Sequence, residues 1–264
     1  MNRSDFFVDY DAVRGDRDSD RWAPLRVSCQ INTEIIDWDH GLYLDGPLQW
    51  ARYAEYRDHF GDDLPDPNTL DWLRDFTIPV AKWTADPQIT HDCDDRLLTP
   101  DGKIWGWCVS RSQPGESLRR KMAIRGKTPI EQYKRFTDAT TVKTSTGPDK
   151  PVDKTYPTTV TNRLTWYILG EPDGVRRLLE RVTSIGARRN VGFGEVKVDH
   201  LGVGQWDVEE IDEDRSLAHG VRLMRRMPFG WNGIERSARM MSVRAPHWHR
   251  CRRHMLMEAD CADT

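Results

Sequence analysis

Residues 158–200 constrain the fold of this chain more tightly than any other stretch. Thr158–Leu169 (TTVTNRLTWYIL) is rich in β-branched and aromatic residues and reads as a strand that Gly170 ends. Glu171–Ser184 follows with Val175, Leu178, Leu179 and Val182 on one stripe, the pattern of an amphipathic helix. Glu171 and Asp173 fall in its first turn, where the helix dipole favours acids. A turn from Gly186 to Gly194 then carries three glycines, and Glu195–His200 alternates as a further strand. This is a strand–helix–strand unit, and it needs a partner unit to bury its apolar side.

The first half of the chain supplies one. Leu25–Ile36 (LRVSCQINTEII) alternates apolar and polar residues as a strand. Gly46–Phe60 has Leu48, Ala51, Tyr53 or Ala54, and Tyr56 at helical offsets, and Pro47 suits a first helical turn. Ile78–Thr84 and Lys103–Ser110 are short Val-, Ile- and Trp-bearing runs that predict strands. Arg111–Pro157 is rich in Pro, Gly, Thr and bases, and an irregular segment of that length inside a domain tends to be functional. The order β-α-β-β-(insertion)-β-α-β predicts an α+β, ferredoxin-like antiparallel sheet with two helices on one face. A doubly wound fold is excluded, because no Gly-rich turn follows the first strand. The expected division is a flexible charged arm over 1–24, the sheet domain with its insertion (about 111–157) over 25–204, and an acidic loop with an Arg-rich C-terminal extension over 205–264.

Charge at first argues against a polyanionic partner, since the 264 residues sum to −3. The distribution reverses that reading. Residues 34–75 hold eleven acids and three bases, residues 118–135 seven bases and one acid, and residues 222–253 nine arginines and one acid. A single charge run is usually a solvated face, but segregation on this scale projects opposite potentials from different surfaces. No apolar run approaches the about 18 residues of a membrane span. The charged first 25 residues lack a signal-peptide core. Five scattered cysteines make no disulfide framework, so a reducing cytoplasm is the expected setting.

The turn at 186–194 is the segment with the most specific chemistry. Gly186, Gly192 and Gly194 permit positive φ and close backbone approach, and exposed N–H groups of such a turn form an anion nest. Arg188 and Arg189 add positive charge, Asn190 adds an amide, and Phe193 offers a face to a base. An ordinary helix-to-strand connection would account for Gly186 alone. A nucleotide-binding P-loop is excluded, since no G-K-S/T follows.

Trp166–Val198, with its G-x-R-R-x-x-G-F-G turn, resembles the strand–helix–glycine-rich-loop–strand of the RAMP proteins of CRISPR-Cas systems. Two further segments, L-Y-L-D-G-P-L-Q-W-A (42–51) and R-A-P-H-W-H (244–249), are similar to the type IV subunit equivalent to the one that caps the crRNA 5′ end. The resemblance implies an RRM-like core and a non-catalytic subunit without cofactors. Such a subunit holds the crRNA 5′ handle, caps a filament of backbone subunits, and contacts a large subunit that inspects target DNA. It also implies that the insertion is a thumb-like β-hairpin crossing the RNA, with Arg119, Arg120, Lys121, Arg125 and Lys127 on its phosphates. Phe136 or Met122 would wedge between bases or make a shielded core contact.

Some RAMP relatives cleave crRNA precursors by metal-independent attack of a 2′-hydroxyl. If this chain is such an endoribonuclease, His40, just before the first helix, is the candidate general base or acid. His91 and Cys93 read as surface residues of an acidic loop. His247, His249, Cys251, His254 and Cys261 lack the paired spacing of a closed zinc site, so no metal is expected. The acids at 207–214 read as a solvated loop. Of the eleven Trp, Trp105, Trp107 and Trp166 on strands and Trp50 and Trp72 on helices are expected in the core, while Trp231 and Trp248 could anchor a neighbouring subunit.

Overall fold

The computed structural model describes residues 3–9, 12–14, 16, 19–36, 42–61, 75–86, 98–126, 152–187, 189, 192–212, 226–227, 238–242 and 253–258. In chain order the first half gives β1 (Ala23–Gln30), β2 (Ile35–Ile36), α1 (Asp45–Phe60), β3 (Lys82–Ala85), β4 (Ile104–Trp107), β5 (Gln113–Pro114) and β6 (Ser117–Gly126). The second half gives β7 (Val152–Thr161), β8 (Arg163–Gly170), α2 (Pro172–Leu179), β9 (Trp206–Glu210), β10 (Arg226–Met227), β11 (Ala238–Ser242) and β12 (Arg253–Glu258).

The central sheet has the order β5-β8-β1-β9, every pairing antiparallel, which is the ferredoxin-like order the sequence predicts. Its inner side is built by alternation: Leu25, Val27 and Cys29 on β1 meet Leu164, Trp166 and Ile168 on β8. Leu48 and Ala51 of α1 and Val175, Leu178 and Leu179 of α2 close over them. Each buried Leu, Ile or Val among them contributes roughly 1.5–3 kcal/mol of burial. The Trp166 indole, fully buried, donates from Nε1 to the Leu42 carbonyl at 3.1 Å, so its one polar atom is satisfied. The helices lie side by side, joined by Arg181 to Asp58 at 2.6 Å and by Arg177 to the buried Glu55, which Arg52 also holds at 2.7 Å. Separate sheets are formed by β2-β7-β6, by β3-β4 and, in the C-terminal extension, by β10-β12-β11.

Several expectations are corrected. The single strand over Thr158–Leu169 is two, broken at Asn162, whose carbonyl accepts from the Ile31 N–H at 3.0 Å. The apolar phase of Val160, Leu164, Trp166 and Ile168 lapses at Asn162, which is exposed together with Arg163 while Thr161 is buried, so one polar residue marks the junction. Glu195–His200 is not a strand; it makes isolated bridges through Glu195, Val196 and Val198, and its alternation reflects burial of Val196 in the core. The fourth strand of the sheet is β9, which falls within the acids expected to form a solvated loop. Val208 and Trp206 pack against the core while Asp207 and Glu209 face outward, a pattern an edge strand tolerates. The second helix ends at Leu179 rather than Ser184.

The described part of the N-terminal segment is not a flexible arm. Phe6, Val8, Val13 and Trp22 are buried. Phe6 meets Tyr56 edge-on at 5.6 Å and lies 4.1 Å from the Arg52 guanidinium. Backbone bonds Val8 N–H to Asp75 (2.8 Å), Thr77 N–H to Phe6 (2.8 Å) and Asp16 N–H to Lys82 (2.9 Å) fix it in place. High charge between the apolar residues hides this anchoring from a composition count. Among the described residues no helix is long and apolar enough to cross a membrane.

Candidate nucleic-acid interface

The glycine-rich turn is closed at its neck by Ile185 N–H to the Gly194 carbonyl (2.8 Å) and Val196 N–H to the Thr183 carbonyl (2.9 Å). Gly194 has φ +64, and a Cβ there would lie 1.9 Å from the Ile185 carbonyl oxygen, so no side chain fits. Gly192 has φ +89 with open space around it; its need for glycine is conformational, and its N–H returns to the Arg189 carbonyl at 3.1 Å. Gly186 also adopts positive φ.

One short strand ties this turn to the basic hairpin. Residues 32–36 run along the turn: Asn32 N–H donates to the Glu195 carbonyl (2.9 Å), Gly194 N–H to the Glu34 carbonyl (2.8 Å), and Ile36 bridges Ala187. The other edge of the same segment, β2, pairs Ile35 with Thr159 and Ile36 with Thr158 of β7. β7 in turn pairs with β6 over its whole length, from Ser117–Thr161 to Gly126–Val152. Turn, β2, β7 and β6 therefore form one hydrogen-bonded surface. The expected thumb hairpin is present as β6–β7, and it continues the two strands β5 and β8 out of the central sheet.

The hairpin bases divide by register. Arg119 and Lys121 sit opposite Thr159 and Pro157 on one face, whereas Arg120 sits opposite the buried Thr158 on the other and approaches Glu34 at 3.8 Å. Arg119 and Lys121 are exposed, and among the described residues no ion pair holds them. Arg125 lies on β6, beyond the described side chains. Arg189 is exposed on the turn with its guanidinium 5.5 Å from the Trp50 ring, and Phe193 is half-buried. Arg188, Asn190, Lys127, Phe136, His40, His91, Cys93, His247, His249, Cys251 and Cys261 lie outside the described residues, as do Trp72, Trp231 and Trp248; His254 falls on β12. Among the described residues no three His, Cys, Asp or Glu groups gather as a metal site.

Trp50 is the residue sequence reasoning misplaced. It is 40% exposed on α1 instead of lying in the core. The signal was present: Leu48, Ala51, Glu55 and Tyr56 define the buried stripe, and position 50 lies off it. The surface thus offers backbone amides, guanidinium and ammonium groups and an indole face, a donor set for a polyanion carrying stackable bases.

Burial pushes the Cys29 thiol far up, and burial lowers Lys82 against the opposing pull of Asp16. The Thr99 hydroxyl, then Lys103, hold exposed Asp101 below the usual carboxylate range.

Residues 107–259, more than half of the chain, match the model of the family described as CRISPR type IV associated protein Csf3. The matched stretch contains the hairpin, β8, α2, the glycine-rich turn and β9–β12. No curated protein matches the chain.

Proposed function

The chain belongs to the CRISPR type IV associated Csf3 family, and from that premise we propose that it is a non-catalytic crRNA-binding subunit of the type IV complex. In this reading it holds the crRNA 5′ handle through its RAMP-type glycine-rich turn and caps the filament of backbone subunits. A large subunit lies beyond it and brings target DNA near without direct readout. Family membership makes it a component of a type IV CRISPR system alongside other Cas subunits.

The observation that carries the reading is the pairing of β2 with Ala187 on one side and β7 on the other. It joins two basic segments, far apart in sequence, into one surface along which a phosphate backbone could run. The test is the affinity of the purified chain for single-stranded repeat RNA across a salt series. Arg189→Glu, alone and with Arg119→Glu and Lys121→Glu, should weaken binding stepwise and lower the salt slope by about 0.7 per lost phosphate contact. Absence of RNA affinity at low salt, or binding unchanged in the triple variant, sinks the proposal. The non-catalytic part is tested by incubating labelled repeat RNA in EDTA: site-specific cleavage abolished by His40→Ala would replace it with a metal-independent endoribonuclease.

A further inference from the structure

Five of the described tryptophans, Trp22, Trp83, Trp105, Trp107 and Trp166, are at most 9% exposed, as large aromatics in a folded core should be. Trp50 departs from them. It is the aromatic among the three exposed large apolar side chains described, and it stands on the first turns of α1, off the buried stripe. Its position in space is more telling than its exposure. The guanidinium of Arg189, from the glycine-rich turn, lies 5.5 Å from its ring centroid, although the two residues come from opposite ends of the domain.

We propose that Trp50 is a base-stacking platform for single-stranded RNA, taking one nucleobase on its indole while Arg189 holds the adjoining phosphate. The proposal rests on the RNA-binding reading and adds to it a subsite outside the turn and hairpin. The chemistry fits the parts. An indole is rigid and presents a flat π-face at little entropic cost, and every base has a face to match it. A guanidinium above an indole is held by the ring quadrupole while its in-plane N–H groups remain free for phosphate oxygens. The rigid first turns of α1 fix the ring, and Gly192 and Gly194 fix the turn that brings Arg189 to it. A stacked base and a clamped phosphate one sugar apart are adjacent groups on a single nucleotide.

The stacking term and the ionic term differ in salt dependence, which makes the proposal separable from the reading beneath it. Anisotropy with the full chain and a fluorescently labelled single-stranded RNA is measured for wild type, Trp50→Phe and Trp50→Ala over a salt series. Trp50→Ala should bind about tenfold more weakly with an unchanged salt slope, because stacking releases no counterions. Trp50→Phe should recover most of the loss. An abasic site scanned along the RNA should weaken wild type at one position and leave Trp50→Ala unaffected there. Wild-type RNA binding with Trp50→Ala indistinguishable from it overturns this inference alone. A loss in Trp50→Ala accompanied by a reduced slope also overturns it, since the ring would then act only by propping Arg189. No RNA binding by wild type removes both this inference and the reading it rests on.

Discussion

The open face of the central sheet and the turn–hairpin surface both carry arginines, yet they differ in how many of these meet an acid among the described residues. On the open face Arg26 of β1 meets Glu209 of β9 at 2.5 Å, and Arg163 of β8 donates to Ser28 at 2.6 Å and lies 3.7 Å from Asp207. The register enforces this: Arg26 is opposite Glu209 and Ser28 opposite Asp207 across β1–β9. On the hairpin, Arg119 and Lys121 stand opposite Thr159 and Pro157, which offer no charge. Arg189 has an aromatic neighbour and no acid among the described ones. On the sheet face that an RRM uses for RNA these arginines meet acids, whereas on the stitched surface Arg119, Lys121 and Arg189 meet none among the described residues. Cross-strand register, rather than base count, decides which of these bases face an acid.

The largest test of that contrast is structural. Gly194→Ala should cost about 3 kcal/mol in urea unfolding, because its Cβ would overlap the Ile185 carbonyl that shapes the turn. Gly192→Ala, with open space around it, should cost only the positive-φ strain of about 1–2 kcal/mol. Equal costs at the two sites would mean that the turn is not set by that close approach.

Next in size is the hairpin. Arg119→Glu with Lys121→Glu should lower RNA affinity at least about tenfold near 0.1 M salt. The unfolding midpoint should hold, since both side chains are exposed. On the sheet face, removing the exposed Arg26–Glu209 pair should change stability by less than about 1 kcal/mol and leave RNA affinity alone. Asp207→Lys with Glu209→Lys should do the opposite of the hairpin variant, adding salt-sensitive RNA binding on a face expected to contribute none in the wild type. If that double variant gains no affinity, neutralisation is not what keeps the sheet face silent.

The smallest expected effect is on pH. Burial lowers Lys82 in the fold, so the unfolded chain holds more protons in the alkaline range below the ordinary lysine value of 10.5. Stability should therefore rise slightly with pH across that range, and Lys82→Met should remove the rise in pH-stepped urea melts.

Much of this arrangement was legible in the chain. Leu25, Val27 and Cys29 alternate because one face of β1 is buried, and Val175, Leu178 and Leu179 space as a helix stripe, so the α+β layering followed from periodicity. The G-x-R-R-x-x-G-F-G turn was identifiable because glycines at positive φ leave a direct mark. Other features left none. The acids of β9 resemble a loop until Val208 is seen opposite Val27. The split of Arg119 and Lys121 from Arg120 follows from a period of two and could have been read once β6 was taken as a strand. The pairing of Arg189 with Trp50 depends on how α1 and the turn are brought together, which no local pattern encodes.

The most direct test is a photo-cross-linking map of 4-thiouridine-substituted single-stranded RNA on the intact chain, read by mass spectrometry of the adducted peptides. Adducts on residues 186–194, on β6 and at Trp50, with none on the outward residues of β1, β8 and β9, are the predicted result. Adducts centred on Arg26, Arg163 and Tyr167 of the open sheet face would contradict it.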